Sequence, residues 1–179
     1  MKHTQQLFQE YKVGNNRFRE LFFRANDLKG IDLAETDLEE ANLAGANLAG
    51  ANLSQAYLYK ANLGNSNLKR ATISKAELWF ADLGEANLEE ANLEGANCKN
   101  AYLWRANLSL ANLKAVYFKD ANLVRANLWR ANLNKADLRG ANLTGAILKA
   151  VRIDRAKYNN DTLFPQDFDP VIAGMIFKS

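Results

Sequence analysis

The sequence predicts an all-β solenoid. Two observations carry that prediction: a five-residue period that runs through the chain without slipping, and its incompatibility with a helix. At every fifth position from Leu28 to Leu148 there are 25 sites, and 22 of them are Leu; Ile73, Cys98 and Phe118 are the exceptions. Two residues earlier in each unit, from Ala41 to Ala146, 20 of 22 sites are Ala, with Ser66 and Val116 differing. On a helix, five residues rotate by about 500°, so successive Leu would stand about 140° apart and no apolar stripe could form.

Each element of the solenoid follows from the unit Ala-Asn/Asp-Leu-x-x. Alternation over the first three residues puts Ala and Leu on one side of a short extended segment and Asn on the other, so the two remaining residues must redirect the chain. Gly at the last position (Gly30, Gly45, Gly50, Gly95, Gly140, Gly145) suits such a corner, as does Asn or Asp before the Leu. Glycine tolerates positive φ, and Asx side chains bond nearby backbone. Repeated bends of one hand wind the strip into coils with Leu and Ala inside and backbone hydrogen bonds between layers. Weaker repeats extend the phase through Phe18 and Phe23 at one end and Ile153, Tyr158 and Leu163 at the other.

Composition agrees. The 179 residues are 48% hydrophobic and 24% charged, the size of one domain and too apolar for disorder. No apolar run approaches the roughly 18 residues of a membrane span, so no membrane association is expected. A single Cys excludes an internal disulfide framework, and Met1 to Lys12 has neither an apolar h-region nor a small-residue cleavage site. The expected location is the cytoplasm.

Units such as Ala41-Asn42-Leu43, Ala51-Asn52-Leu53 and Ala121-Asn122-Leu123 resemble the A(D/N)LXX motif of the pentapeptide-repeat family. The resemblance covers roughly residues 16–163 and implies a right-handed quadrilateral β-helix of four pentapeptides per coil, about seven coils in all. At about 4.8 Å per coil the rod would be about 34 Å long. One internal check supports four: a 20-residue coil sets Cys98, the smallest central residue, beneath Phe118, so a deficit of volume meets an excess. Three units per coil would set Cys98 on Leu113 and lose that compensation.

Both ends depart from the repeat, as open solenoid ends require. In residues 1–15, Leu7, Phe8 and Tyr11 fall at helical spacing before Gly14 and Asn15, which predicts a short α-helical cap. In residues 164–179 the phase breaks at Phe164-Pro165, and Val171, Ile172, Met175, Ile176 and Phe177 supply an apolar lid. This tail reads as a folded-back cap or, alternatively, as a dimer contact; the chain is expected to be a monomer or a homodimer through a terminus. Both flanks resemble those of cyanobacterial members of the family.

No catalytic site is expected. His3, the only His, stands near the N-terminus, whereas Cys98 occupies an inward Leu site, and the rod would keep the two apart. The carboxylates lie on outward positions where they are solvated rather than tuned for acid–base work. No Walker, Rossmann or calcium-loop pattern is present, and a Leu-filled core leaves no room for a cofactor. Neither cofactor nor metal is expected.

Functional information must therefore lie on the outer faces. Tyr57, Tyr59, Trp79 and Phe80 project from one face on successive coils, a grouping suited to protein contact. The alternative is that these rings lie on the β-surface and supply cross-strand packing. Trp104 and Trp129, with Tyr102, are placed near Arg105, Arg125 and Arg130 around one corner, a mixture suited to an interface anchor.

Charge is polarised along the axis: residues 27–100 carry 6 Lys/Arg against 12 Asp/Glu, and residues 101–160 carry 11 against 3. Twenty-residue spacing pairs Glu40 with Lys60, Lys69 with Glu89, Arg70 with Glu90, Glu85 with Arg105 and Glu94 with Lys114. Farther on, Lys99, Lys119 and Arg139 share a column, as do Arg105 with Arg125 and Lys135 with Arg155.

The function expected is a non-catalytic scaffold, with a regulatory role, that binds a protein partner through its outer faces. The resemblance adds that some relatives act in cyanobacterial signalling, including heterocyst differentiation, and that others protect gyrase from quinolones by mimicking DNA. The alternative of a DNA-mimicking gyrase binder requires a strongly acidic surface, which a net charge of +3 does not provide. Direct nucleic-acid binding by the basic part is disfavoured, and would show affinity falling steeply with salt.

Overall fold

The computed structural model describes residues 16–179. The central residue of each three-residue side bridges in parallel to the residue 20 positions later, in an unbroken series from Arg17 with Asp37 to Asp137 with Lys157. With a corner every five residues, a 20-residue register makes each coil four-sided. No helix occurs among the described residues, and the expected helical cap over 1–15 lies outside them.

One unit shows how the backbone is satisfied. The Leu43 amide donates to Asn62 O at 2.7 Å, Gly45 to Gly64 O at 2.9 Å and Asn42 to Leu21 O at 2.8 Å, all between coils; Ala46 closes the corner onto Leu43 O at 3.0 Å. The fifth amide, Ala44, donates to Asn42 Oδ1 at 3.1 Å. Where a unit has Asn or Asp, that side chain supplies the one acceptor that neither ladder nor turn provides, which is the physical reason the repeat favours it. Asn side chains also link coils, as in Asn47 to Asp27 at 2.8 Å and Asn67 to Asn47 at 3.1 Å.

Every fifth residue from Glu20 to Arg155 has positive φ, and only six of these 28 corners are Gly. A left-handed conformation costs an L-residue roughly 1–2 kcal/mol. The corner residue's own amide offsets that cost by bonding the next coil, as Lys60 does to Trp79 O at 3.0 Å.

The Leu and Ala columns form one continuous buried core, closed at the first coil by Phe18 and Phe23. Cys98 and Phe118 are both fully buried in adjacent layers. Ser66, standing where the repeat has Ala, is buried with no hydrogen-bond partner for its hydroxyl. Ser66→Ala is expected to stabilise the protein by about 1–2 kcal/mol by removing an unpaired buried oxygen; a denaturation midpoint at or below that of the unsubstituted protein would refute this.

The phase of the repeat changes earlier than the sequence suggests. Asn142 bridges Leu163, one position beyond the step that the bridges before it keep. Thr162 therefore takes the buried Ala position, and Leu163, expected to point inward, takes the outward Asn position and is 50% exposed. The extra residue is absorbed in the turn at Asn159–Asp161, where Thr162 Oγ1 donates to Leu138 O at 3.0 Å.

The tail then folds back. Strand β1 (Lys157–Tyr158) pairs in parallel with β2 (Ile176–Phe177), so the last residues stand in for one side of a further coil. Tyr158 meets the rings of Phe164 and Phe177 edge-on at 5.8 and 5.5 Å, and Phe168 stacks on Phe164 at 5.1 Å. Met175 is buried at the end of the core.

Candidate functional site

Four walls result, and they are not equivalent. One carries a nearly uniform ladder of central residues, Asp27, Asn47, Asn67, Asn87, Asn107 and Asn127. Another has Asp37, Tyr57, Glu77, Asn97, Tyr117, Asp137 and Lys157 in the same position. At Tyr57, Glu77 and Tyr117 this second wall forgoes the Asx side chain that accepts the fifth amide.

On that wall Tyr57, Tyr59, Trp79 and Phe80 come together, with Glu39 and Glu77, around a shallow hollow of about 590 Å³. Tyr57 is 52% exposed, and Trp79 and Phe80 are each 43% exposed. Tyr59 and Phe80 meet edge-on at 6.1 Å, the Trp79 indole N–H donates to Glu77 at 2.6 Å, and Lys60 Nζ lies 5.1 Å from the Tyr59 ring centre. Phe80 is held at φ 58°, an uncommon conformation for so bulky a residue. The rings pack on one another and still present an apolar surface to solvent.

The second aromatic group is divided. Trp104 and Arg105 occupy the corner after Leu103, whereas Trp129 and Arg130 occupy the corner after Leu128, one wall farther on. The single corner expected from the sequence is thus two corners, flanking the Asn107–Asn127 ladder. The reason is arithmetic: the step from Trp104 to Trp129 is one full coil plus one side.

Arg105 lies 5.5 Å over Trp104, and Arg130 lies 4.5 Å over Trp129. Trp104, Arg105, Val124, Arg125, Thr144 and Gly145 line a hollow of about 500 Å³. Gly84 makes room for Trp104, because a Cβ there would strike the indole nitrogen.

All five ion pairs expected from the 20-residue spacing are present. Glu40–Lys60 is 3.3 Å, Lys69–Glu89 2.9 Å, Arg70–Glu90 2.8 Å, Glu85–Arg105 3.4 Å and Glu94–Lys114 2.9 Å. In the basic part Arg139 pairs with Asp137 at 2.6 Å. Among the described residues Lys99, Lys119 and Arg125 form no ion pair.

Three carboxyls are held below their ordinary range. The hydrogen bond from Arg70 does this for Glu90, and that from Lys114 for Glu94. At Asp137 burial opposes the charge, but the side-chain and backbone bonds from Arg139 outweigh it. These groups bind protons more weakly folded than unfolded, so their stabilisation is complete above the ordinary carboxylate range and lost as pH falls through the depressed values. The melting temperature should therefore drop on acidification below about pH 4, less steeply in Asp137→Asn; a flat profile would contradict the pairing.

Cys98 is fully buried, and burial, with the field of Glu77 second, pushes its thiol up, so it is not a nucleophile at neutral pH. His3 lies outside the described residues. Among those described, no cluster of His, Cys, Asp and Glu could hold a metal ion, and no helix is long and apolar enough to cross a membrane.

Tyr117, also 52% exposed, joins the Tyr57 wall, three whole coils after Tyr57 in the same column. The period alone could have placed it there, although the sequence reading does not single it out.

Several solved structures resemble this chain. QnrB1, a plasmid-mediated fluoroquinolone resistance protein in a trypsin-treated form, is 21% identical with a TM-score of 0.58, covering 92% of this chain and 85% of that one. HetL, involved in heterocyst differentiation regulation in the cyanobacterium Nostoc sp. strain PCC 7120, is 27% identical with a TM-score of 0.37, covering 96% and 91%. Another pentapeptide repeat protein of Nostoc PCC 7120 is 24% identical with a TM-score of 0.36, covering 97% and 94%. The likeness to QnrB1 shows the fold. No curated protein matches the sequence. Pentapeptide repeats match in eight copies, over residues 23–58, 51–89, 91–130, 111–149 and 121–157. With that match spanning most of its coils, the chain belongs to the pentapeptide-repeat family.

Proposed function

We propose that the protein is a non-catalytic scaffold, with a regulatory role, that binds protein through its outer walls. The observation that carries this reading is the aromatic hollow of Tyr57, Tyr59, Trp79 and Phe80, built where the repeat gives up its own backbone-satisfying residues. A sequence that departs from its local rule and leaves the replacing rings about half exposed points to use of that surface. Aromatic residues beside carboxylates and cations are the composition of interface anchors. The Trp104–Arg105–Arg125 hollow and the Trp129–Arg130 corner offer a second surface of the same kind.

The DNA-mimic reading loses support from the ion pairs. Glu40, Glu85, Glu89, Glu90 and Glu94 each face a cation one coil away, which breaks up any continuous acidic stripe.

Trp79→Ala combined with Tyr59→Ala, and separately Arg105→Glu combined with Arg125→Glu, should each weaken capture of binding partners from the native cell at least about tenfold, as loss of an interface anchor does. The melting temperature should stay within a few degrees. Unchanged capture in both variants would refute the reading, and loss of folding would assign the rings to packing alone.

A further inference from the structure

The Tyr57 wall changes character along the rod in an ordered way. After Arg19, which pairs with Asp37 and Glu39, its column of first corner residues runs Glu39, Tyr59, Trp79, Lys99, Lys119, Arg139: acid, two aromatics, three cations. Lys99 and Lys119 form no ion pair among the described residues and stand next to each other in one column with Arg139, an arrangement that repels itself. A partner for this wall must therefore offer cations and hydrogen-bonding groups to its lower half and aromatics and carboxylates to its upper half. The wall itself, turned end over end, is such a surface.

Building on the reading of this wall as an interaction surface, we infer that its occupant is a second copy of the chain, docked side by side with the two rods antiparallel. Place a two-fold axis in the contact plane, along the strand direction, midway between the coils of Trp79 and Lys99. Each column then faces itself with its order reversed. Trp79 meets the partner copy's position 99 and Tyr59 meets position 119, giving two cation–π contacts, each made twice by symmetry, while Glu39, which already holds Arg19 at 2.8 Å, meets position 139, an arginine that already holds Asp137.

The neighbouring columns agree. Tyr57 falls opposite Tyr117, Glu77 opposite Asn97, and Lys60 opposite Asp120. Two pairs of like charge meet in the central column: Asp37 with Asp137, each of which already holds an arginine, Arg19 at 2.5 Å and Arg139 at 2.6 Å, and, at the two ends of the wall, Arg17 with Lys157.

The alternatives are worse electrostatically. A parallel pair, its two-fold along the rod, sets each row on itself and in the central column brings Asp37 onto Asp37, Glu77 onto Glu77 and Asp137 onto Asp137. Sliding the antiparallel pair by one coil sets Lys99 on Lys99 in one direction and Glu77 on Glu77 in the other. Six rows at about 4.8 Å span about 24 Å, so the contact uses most of the wall.

Sedimentation velocity on the full chain over a wide concentration range should show a monomer–dimer equilibrium that weakens with added salt. Lys99→Glu with Lys119→Glu should raise the dissociation constant at least about tenfold. Lys60→Asp and Asp120→Lys should each weaken the dimer, and the two together should restore it. Under mild oxidation, Tyr57→Cys with Tyr117→Cys should yield disulfide-linked dimers that neither single substitution gives, the buried Cys98 taking no part.

A protein that stays monomeric at all concentrations and low salt overturns the inference, as does a dimer indifferent to these substitutions, which would be held by a terminus. Either result leaves the interaction reading of the walls intact, because capture of other proteins through the Trp104 corner is measured separately.

Discussion

Phe118→Ala is expected to lower stability by about 3–5 kcal/mol, seen as a fall in denaturation midpoint at unchanged m-value. Phe118 is fully buried and fills space in the layer next to Cys98, so truncation empties a region that already contains the smallest central side chain. The pairing can be isolated by a cycle. Cys98→Leu alone should overpack the site at a cost of about 1–3 kcal/mol, and Phe118→Leu alone should leave a void. Made together, they restore the repeat's own residues in both layers and should recover most of the loss. Additive losses would show that the two side chains do not share space.

Removal of residues 164–179 is the other large effect. The tail supplies β2, the buried Met175 and the rings of Phe164, Phe168 and Phe177 around Tyr158. Without it the last coil would expose Ile153 and Tyr158 together with unpaired ladder groups. At roughly 1.5–3 kcal/mol for each large apolar side chain uncovered, the loss is on the order of 5 kcal/mol. The truncated rod should also associate end to end at its bare terminus. A fragment 1–163 that melts with the full chain and remains monodisperse would show that the tail is not a cap.

The core and the register are legible in the sequence because they are periodic. The five-residue spacing rules out a helix by rotation alone. The size match of Cys98 with Phe118 and the five charge pairs all agree with a coil of four units, although the number four itself comes from the family resemblance.

Other features have no signature in residue type. Left-handed corners are occupied by Glu, Lys, Arg, Phe and Leu as well as Gly, since the backbone ladder, not the side chain, enforces the conformation. The one-residue slip before Leu163 leaves no mark in the spacing, because Leu163 still fits the five-residue count. Placing Trp104 and Trp129 at one corner is an error of counting, since the spacing itself puts them at successive corners. The aromatic group of Tyr57, Tyr59, Trp79 and Phe80 is readable, because position along a column is set by the period. The membership of Glu39 in its rim depends on side-chain reach, which spacing does not encode.

A ladder of near-identical steps also raises the problem of uniqueness. If one stretch of chain were wound a single step out of place, most Leu would still find a Leu neighbour and most amides a carbonyl, so the uniform units discriminate poorly between correct and slipped windings. Discrimination falls to the few irregular residues: a Phe that fits only above a Cys, carboxylates that meet cations only in true alignment, and an extra residue that fits only beside Thr162. These act as the notches of a key, and the apparent imperfections of the repeat select one native alignment from many that are nearly isoenergetic.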